Sequence, residues 1–121
     1  MNLNQIHNVY FVGIGGIGMS ALARYFQFIG KNVAGYDKTA TQLTSELQES
    51  GIKIHFEDNI DLIAENFKNT ENTLVVITPA VPKNHSQWNF FLDYGFTVKK
   101  RAEVLGIITK DTFCFVVAGT H

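Results

Sequence analysis

A run of six residues, Gly13-Ile14-Gly15-Gly16-Ile17-Gly18, constrains this chain more than any other because of what flanks it. Before it stands the apolar, strand-like Val9-Tyr10-Phe11-Val12, and after it a helix-like stretch opening at Met19-Ser20-Ala21-Leu22-Ala23. Glycines at 13, 15 and 18 allow a turn too tight for a Cβ, let the backbone close on a diphosphate, and let the following helix pack on the strand. The free N–H groups of the first helical turn then face the anion, and the helix dipole favours negative charge there. Asp37 closes the next strand-like run, Asn32-Val33-Ala34-Gly35-Tyr36, nineteen residues after Gly18, where an acceptor can take a ribose hydroxyl. Strand, helix and acid in register point to a nucleotide-type diphosphate ligand; a purely structural turn is the competing reading. NAD and a UDP-sugar both offer a diphosphate and a ribose, and the loop does not choose between them.

Strand-like and helix-like segments alternate along the rest of the chain. That pattern predicts an α/β fold, a Rossmann-like doubly wound sheet of about five mainly parallel strands with helices on both faces. Met19, Leu22, Ala23, Phe26 and Ile29 share one face of the first helix, which Gly30 stops. Thr39 with Gln42 reads as the capping box of a second helix carrying Leu43 and Leu47 and ended by Gly51. Lys53-Ile54-His55-Phe56 is a short third strand, after which Asp58 or Asn59 caps a helix with Ile60, Ile63, Ala64 and Phe67 inward. The continuous run Leu74-Val75-Val76-Ile77 suits a central strand buried on both faces. Thr78-Pro79-Ala80-Val81-Pro82 follows at its carboxyl end, which should stand near the glycine loop, although a proline-stiffened loop has the same look. Asn84 and Gln87 read as caps of a helix with Trp88, Phe91 and Leu92 inward and Gly95 at its end. The aromatic cluster Trp88, Phe90, Phe91, Tyr94 and Phe96 is read as core packing rather than a platform for bases. Phe96-Thr97-Val98 is a fifth strand, and Ala102 to Thr109 a last helix.

A chain of 121 residues is one domain of ordinary size. Its 45% hydrophobic and 17% charged residues fit a globular fold, and a formal charge of −1 gives no support to nucleic-acid binding. No apolar stretch approaches the roughly 18 residues of a membrane span. The first residues lack the pattern of a signal peptide, and a single cysteine suits a reducing cytoplasm. Cys114 alternates with large apolar residues and reads as a buried, inert thiol. His7 and His85 lack partners at metal spacing, so no metal site is assigned. The strong strand Phe113-Cys114-Phe115-Val116-Val117-Ala118 runs straight into Gly119-Thr120-His121, from which a longer protein is inferred.

Four stretches together, Phe11 to Ser20, Gly35-Tyr36-Asp37, Arg101-Ala102-Glu103 and Ala118-Gly119-Thr120-His121, resemble the N-terminal domain of the Mur ligases of peptidoglycan synthesis. The likeness is to the branch that joins L-alanine to UDP-N-acetylmuramate. It implies a UDP-sugar-binding domain over 1–111, then, over 112–121, the first strand and the start of the ATP loop of a central domain, with Gly119, Thr120 and His121 as that start. The loop lysine is not in the sequence, so ATP and Mg2+ are implied only for the full-length enzyme, as is L-alanine. No residue of this chain is given a catalytic role; its contribution is positioning.

By the same resemblance Gly15, Gly16, Ile17 and Gly18 donate backbone N–H groups to the diphosphate of UDP-N-acetylmuramate, and Met19 and Ser20 line the first turn. Asp37 accepts from the uridine portion, Lys38 shields the phosphates, and His55 is either near the uracil edge or an ordinary strand-end histidine. The family usually shows Ser-Ser-Ala where this chain has Thr78-Pro79-Ala80, so one hydroxyl is kept and one is lost together with a backbone donor. Arg101 and Glu103 either form structural pairs or reach ligand. The alternative to the ligase reading is an NAD-binding module of a dehydrogenase or redox sensor; a muropeptide-recycling ligase ranks below both. Left alone, the strand from Phe113 to Val117 is expected to fray, fold back or pair with another copy.

Overall fold

The computed structural model describes residues 3–79 and 81–108. Five strands, β1 (Asn8–Val12), β2 (Asn32–Tyr36), β3 (Lys53–His55), β4 (Thr73–Ile77) and β5 (Thr97–Lys100), form one sheet in the order β3-β2-β1-β4-β5. Every pairing is parallel. Helices α1 (Ile17–Phe28), α2 (Gln42–Glu49), α3 (Ser86–Asp93) and α4 (residues 101–108) connect or follow the strands. This is the doubly wound order in which the chain runs outward from β1 first to one edge and then to the other.

Alternation along the two central strands divides the core into two layers, because successive side chains point to opposite faces. Val9 and Phe11 of β1 with Leu74 and Val76 of β4 meet Leu22, Ala23 and Phe26 of α1, Leu47 of α2 and Val104 of α4. Tyr10, Val12, Val75 and Ile77 pack on the other face with Ile63, Phe67, Phe91 and Phe96. Phe11, Phe26 and Leu74 are fully buried, and each such side chain contributes about 1.5–3 kcal/mol relative to exposure.

Several local expectations are corrected. The stretch after β3 is not one helix but two 3-10 turns, Ile60–Leu62 and Glu65–Lys68. Between them Ile63 and Ala64 are extended, with ψ of 121° and 149°. Asn59, Asp61 and Asn66 are weak helix formers, and the Asn59 side chain takes the Asp61 N–H into a local turn. Ile63 and Phe67 nevertheless reach the core. The box that opens α2 is Thr41 with Thr44, not Thr39 with Gln42: each threonine hydroxyl accepts from the other's N–H, at 2.8 and 3.3 Å. Thr39 instead gives its N–H to Asp37. Residue His85, not Asn84, occupies the N-cap of α3, and Gln87 is a buried partner of Tyr10 rather than a cap.

Two residues expected inward, Ile29 and Leu92, are 40% and 50% exposed. In the aromatic cluster, Phe91 and Phe96 are core while Tyr94 is exposed. β5 starts one residue after Phe96 and extends to Lys100, and α4 starts one residue before Ala102. Thr109, Cys114, the strand from Phe113, the residues Gly119, Thr120 and His121, and the boundary at 111 lie outside the described residues.

Candidate functional site

The sheet's register brings the site together. Val12 pairs with Tyr36 on one side and with Ile77 on the other, so the next residues, Gly13, Asp37 and Thr78, leave three adjacent strands at one level. The crevice outside those carboxyl ends, between β1 and β4, is the switch point of a doubly wound sheet, the place where such folds bind ligands. It encloses about 550 Å³.

Gly13 has φ of +94°, a left-handed backbone that side chains strain. Its N–H and that of Ile14 both donate to Tyr36 O, at 2.8 and 2.9 Å, so the loop stays bound to the end of β2. A Cβ on Gly13 would stand 2.3 Å from Thr78 Cγ2, and one on Gly15 would stand 2.7 Å from Asp37 Oδ2. Both positions therefore need glycine for reasons visible in the packing.

Gly16 is the N-cap of α1 and brings no side-chain cap. The first backbone bond of the helix runs from Ser20 N–H to Gly16 O at 2.8 Å. The N–H groups of Gly16, Ile17, Gly18 and Met19 find no acceptor among the described residues. Four donors without a partner among the described residues thus stand at the positive end of a twelve-residue helix, which is what an anion site needs. The Arg101 side chain comes to the same end of α1: its Nε and Nη1 lie 2.9 Å from where a Cβ on Gly18 would be. Arg101 forms no salt bridge among the described residues. Glu103, by contrast, accepts from Lys100 N–H at 3.0 Å and caps the start of α4.

Of the residues expected from sequence, Gly16, Asp37, Lys38 and Thr78 border the crevice. Ile17, Gly18 and Arg101 stand at the adjoining helix end, with Ile17 82% exposed. Gly15 is present, but its N–H is already given to Asp37 Oδ2 at 2.7 Å. Met19 and Ser20 do not line the site with their side chains. Met19 is in the core, and Ser20 is buried with its hydroxyl donating to Ile17 O at 2.9 Å. Pro79 is exposed beside the crevice without bordering it, and Ala80 lies outside the described residues.

His55 is drawn away from the crevice. Its Nε2 lies 2.6 Å from the Tyr10 hydroxyl and 2.8 Å from Gln87 Nε2, while the Tyr10 hydroxyl donates to Gln87 Oε1 at 2.8 Å. Burial pushes the His55 pKa down, with the Gln87 hydrogen bond opposing it. The ring borders a separate cavity of about 340 Å³ that contains none of the glycine loop.

Sequence reasoning missed the far wall of the crevice, made by Tyr36, Asp58 and His85. Asp58 caps α3 from a distance: its carboxylate oxygens accept from Ser86 N–H at 2.7 Å and Gln87 N–H at 3.0 Å. Burial alone would raise its pKa, but those N–H donors and the nearby His85 hold it below its ordinary value. The His85 ring is buried, with Nδ1 3.2 Å from Asp58 Oδ1 and 3.4 Å from Trp88 N. We assign the proton to Nδ1, because a lone pair there would face the carboxylate at the shorter distance; Nδ1 then cannot accept from Trp88 N–H, and that 3.4 Å contact is not a hydrogen bond. Burial lowers the His85 pKa against the pull of Asp58. Its ring meets Tyr36 edge to face with centroids 4.6 Å apart. Burial, then the charges of Asp58 and Asp37, raise the Tyr36 pKa. Nothing in the local sequence pairs position 58 with 85 to 87, and only folding makes them neighbours.

Among the described residues no group of three or more His, Cys, Asp or Glu could hold a metal ion, and no helix is long and apolar enough to cross a membrane.

Fold order and loop placement define a Rossmann-type α/β domain with its glycine loop at the switch point. Residues 8–112 match the model of the Mur ligase family, catalytic domain, and the chain belongs to that family. Over 121 residues it is 78% identical to the UDP-N-acetylmuramate--L-alanine ligase of Flavobacterium psychrophilum and 72% identical to that of Flavobacterium johnsoniae. It covers 27% of each of those proteins. A crystal structure of UDP-N-acetylmuramate-alanine ligase MurC from Thermotoga maritima superposes with a TM-score of 0.76 at 28% identity, over 86% of this chain and 23% of that one. A Neisseria UDP-N-acetylmuramate:L-alanyl-gamma-D-glutamyl-meso-diaminopimelate ligase, TM-score 0.68 at 21% identity over 79% of this chain and 29% of that one, is alike in fold alone. None of these favours the dehydrogenase or redox-sensor reading.

Proposed function

We propose that this chain is the UDP-N-acetylmuramate-binding part of a bacterial cytoplasmic ligase that joins L-alanine to that nucleotide sugar in peptidoglycan synthesis. The observation that carries the reading is the row of free N–H groups at Gly16 to Met19 beneath the Arg101 guanidinium, at the switch point of a chain so close to ligases named for that reaction. The diphosphate sits at this row. Lys38 and Arg101 offset its charge, and the nucleoside runs toward Asp37 and the wall formed by Tyr36, Asp58 and His85. Thr78 borders the floor with its methyl packed on Gly13; its hydroxyl is the one retained of the two the family usually places there.

The chain's work is orientation: it holds one end of the substrate so that the lactyl carboxylate is presented in a fixed direction. ATP and Mg2+ belong to the same proposal for the full-length enzyme, where ATP supplies the activation of that carboxylate. The described residues do not fit either group, having no phosphate-binding loop with a lysine and no carboxylate cluster. L-alanine is likewise assigned to the parts of the relatives that this chain does not span. Pairing of the strand from Phe113 to Val117 with a second copy is a separate proposal, checked by light scattering with and without residues 112 to 121; equal monomeric behaviour would sink it.

An amide NMR titration with UDP-N-acetylmuramate, UDP and NAD in parallel tests the main reading. The expected result is movement of the Gly16, Ile17 and Gly18 amides with both uridine ligands and none with NAD. A response to NAD alone would replace the ligase reading with a redox module.

A further inference from the structure

The carboxylate of Asp37 is committed before any ligand arrives. Oδ2 accepts from Gly15 N–H at 2.7 Å, and Oδ1 accepts from Thr39 N–H at 3.0 Å. The residue's own N–H donates to His55 O at 3.1 Å, which ties it to the end of β3 as well. Gly15 is held close enough that an added Cβ would stand 2.7 Å from Oδ2 and 3.0 Å from Thr44 Cγ2 of α2. Loop, carboxylate and second helix are therefore one packed contact.

We propose that Asp37 is a positioning residue that locks the glycine loop, so that Gly15 is not a donor to the ligand and the N–H groups of Gly16 to Met19 are presented to a diphosphate ready-made. The proposal rests on the diphosphate reading above. Its physical basis is twofold. A negative charge beside an anion site opposes the anion, so an acceptor directed only at the ligand would weaken the loop's main interaction. A charge-assisted bond to the loop backbone instead removes freedom that binding would otherwise have to remove, which favours affinity by preorganisation. Each oxygen keeps a further lone pair, so a ribose hydroxyl can still be accepted without releasing Gly15.

Two probes separate a lock from a simple ribose acceptor: UDP, and 2′,3′-dideoxy-UDP, which has no ribose hydroxyl to offer. Both are titrated by calorimetry into the chain, Asp37→Ala and Asp37→Asn, and hydrogen exchange of the Gly15 amide is followed by NMR without ligand. For a lock, Asp37→Ala weakens both nucleotides by a similar factor of roughly ten and speeds Gly15 exchange by at least about as much. Asp37→Asn keeps one acceptor oxygen and recovers part of both. A loss confined to UDP, or a Gly15 amide that exchanges equally fast in the unmodified chain and in Asp37→Ala, overturns the proposal. If the unmodified chain binds neither nucleotide, the diphosphate reading falls and takes the lock's purpose with it, while the exchange data still report whether the hydrogen bond exists.

Discussion

The two walls of the crevice are built on different principles. The glycine-loop wall is local: six consecutive residues and the helix they open supply the turn and the free N–H row, with Asp37 and Thr78 in contact behind them. The opposite wall is assembled from afar. Asp58 reaches 28 and 29 positions along the chain to cap α3, and behind the wall Gln87, whose N–H Asp58 accepts, is bonded by Tyr10 from 77 positions away. One wall depends on backbone conformations that glycine alone adopts without strain, the other on buried polar side chains that must all be satisfied together. A substitution should therefore damage the first wall sterically and the second through orphaned hydrogen-bonding groups.

The largest effect is expected on the local wall. Gly13→Ala combines a left-handed φ with a Cβ 2.3 Å from Thr78 Cγ2 and should destabilise the chain by about 3 kcal/mol in urea unfolding. Adding Thr78→Ser removes the methyl and should restore part of that loss, leaving about 1–2 kcal/mol for the backbone strain. If the double variant were no more stable than Gly13→Ala, the overlap with Thr78 would not be the cause.

Next in size is the long-range network behind the opposite wall. Tyr10→Phe leaves the Gln87 amide oxygen and the His55 ring nitrogen without their shared hydroxyl and should lower stability by about 1–3 kcal/mol. Gln87→Met should be similar, and because both substitutions break one network their effects should fall short of additive. Additive losses would show that Tyr10 and Gln87 act independently and would weaken the contrast between the walls.

The same contrast explains what could be read from the sequence. The doubly wound class, mainly parallel pairing and the nearness of the Thr78 turn to the glycine loop followed from alternation of apolar runs and from the glycine loop, which are short-range signals. The box at Thr41 and Thr44 was misplaced by two residues because Thr39 and Gln42 have equally suitable side chains; the choice was made by Asp37, which takes the Thr39 N–H. The helix expected over Ile60 to Phe67 had correct inward positions but the wrong backbone, since apolar spacing reports burial and not the local competition from Asn59. Ser20 and His55 were judged by their place in a motif, whereas one bonds back to its own helix and the other faces Tyr10. His85 and Asp58 carry no local signature of their pairing, which exists only in the folded chain.

Acidification supplies the gentlest probe of the far wall and of the His55 network behind it, and its sign follows from three depressed pKa values. His85 and His55 are lowered by burial from an ordinary value of 6.5, only partly offset by Asp58 and Gln87 respectively. Asp58 is lowered from 3.8 because its N–H donors outweigh the burial that would raise it. A group whose folded pKa is depressed contributes stability above its unfolded pKa and loses it as pH falls through the folded one. Urea unfolding should therefore show stability starting to fall as pH drops below about 6.5, where the unfolded histidines take up protons first, and falling again below about 3.8, where the unfolded Asp58 carboxylate takes up a proton before the folded one. His85→Gln should shrink the first fall and leave the second in place. Stability that rises between pH 7 and 5 would mean that Asp58 holds His85 protonated in the folded chain. The far wall would then be an ion pair rather than a neutral imidazole hydrogen-bonded to a carboxylate.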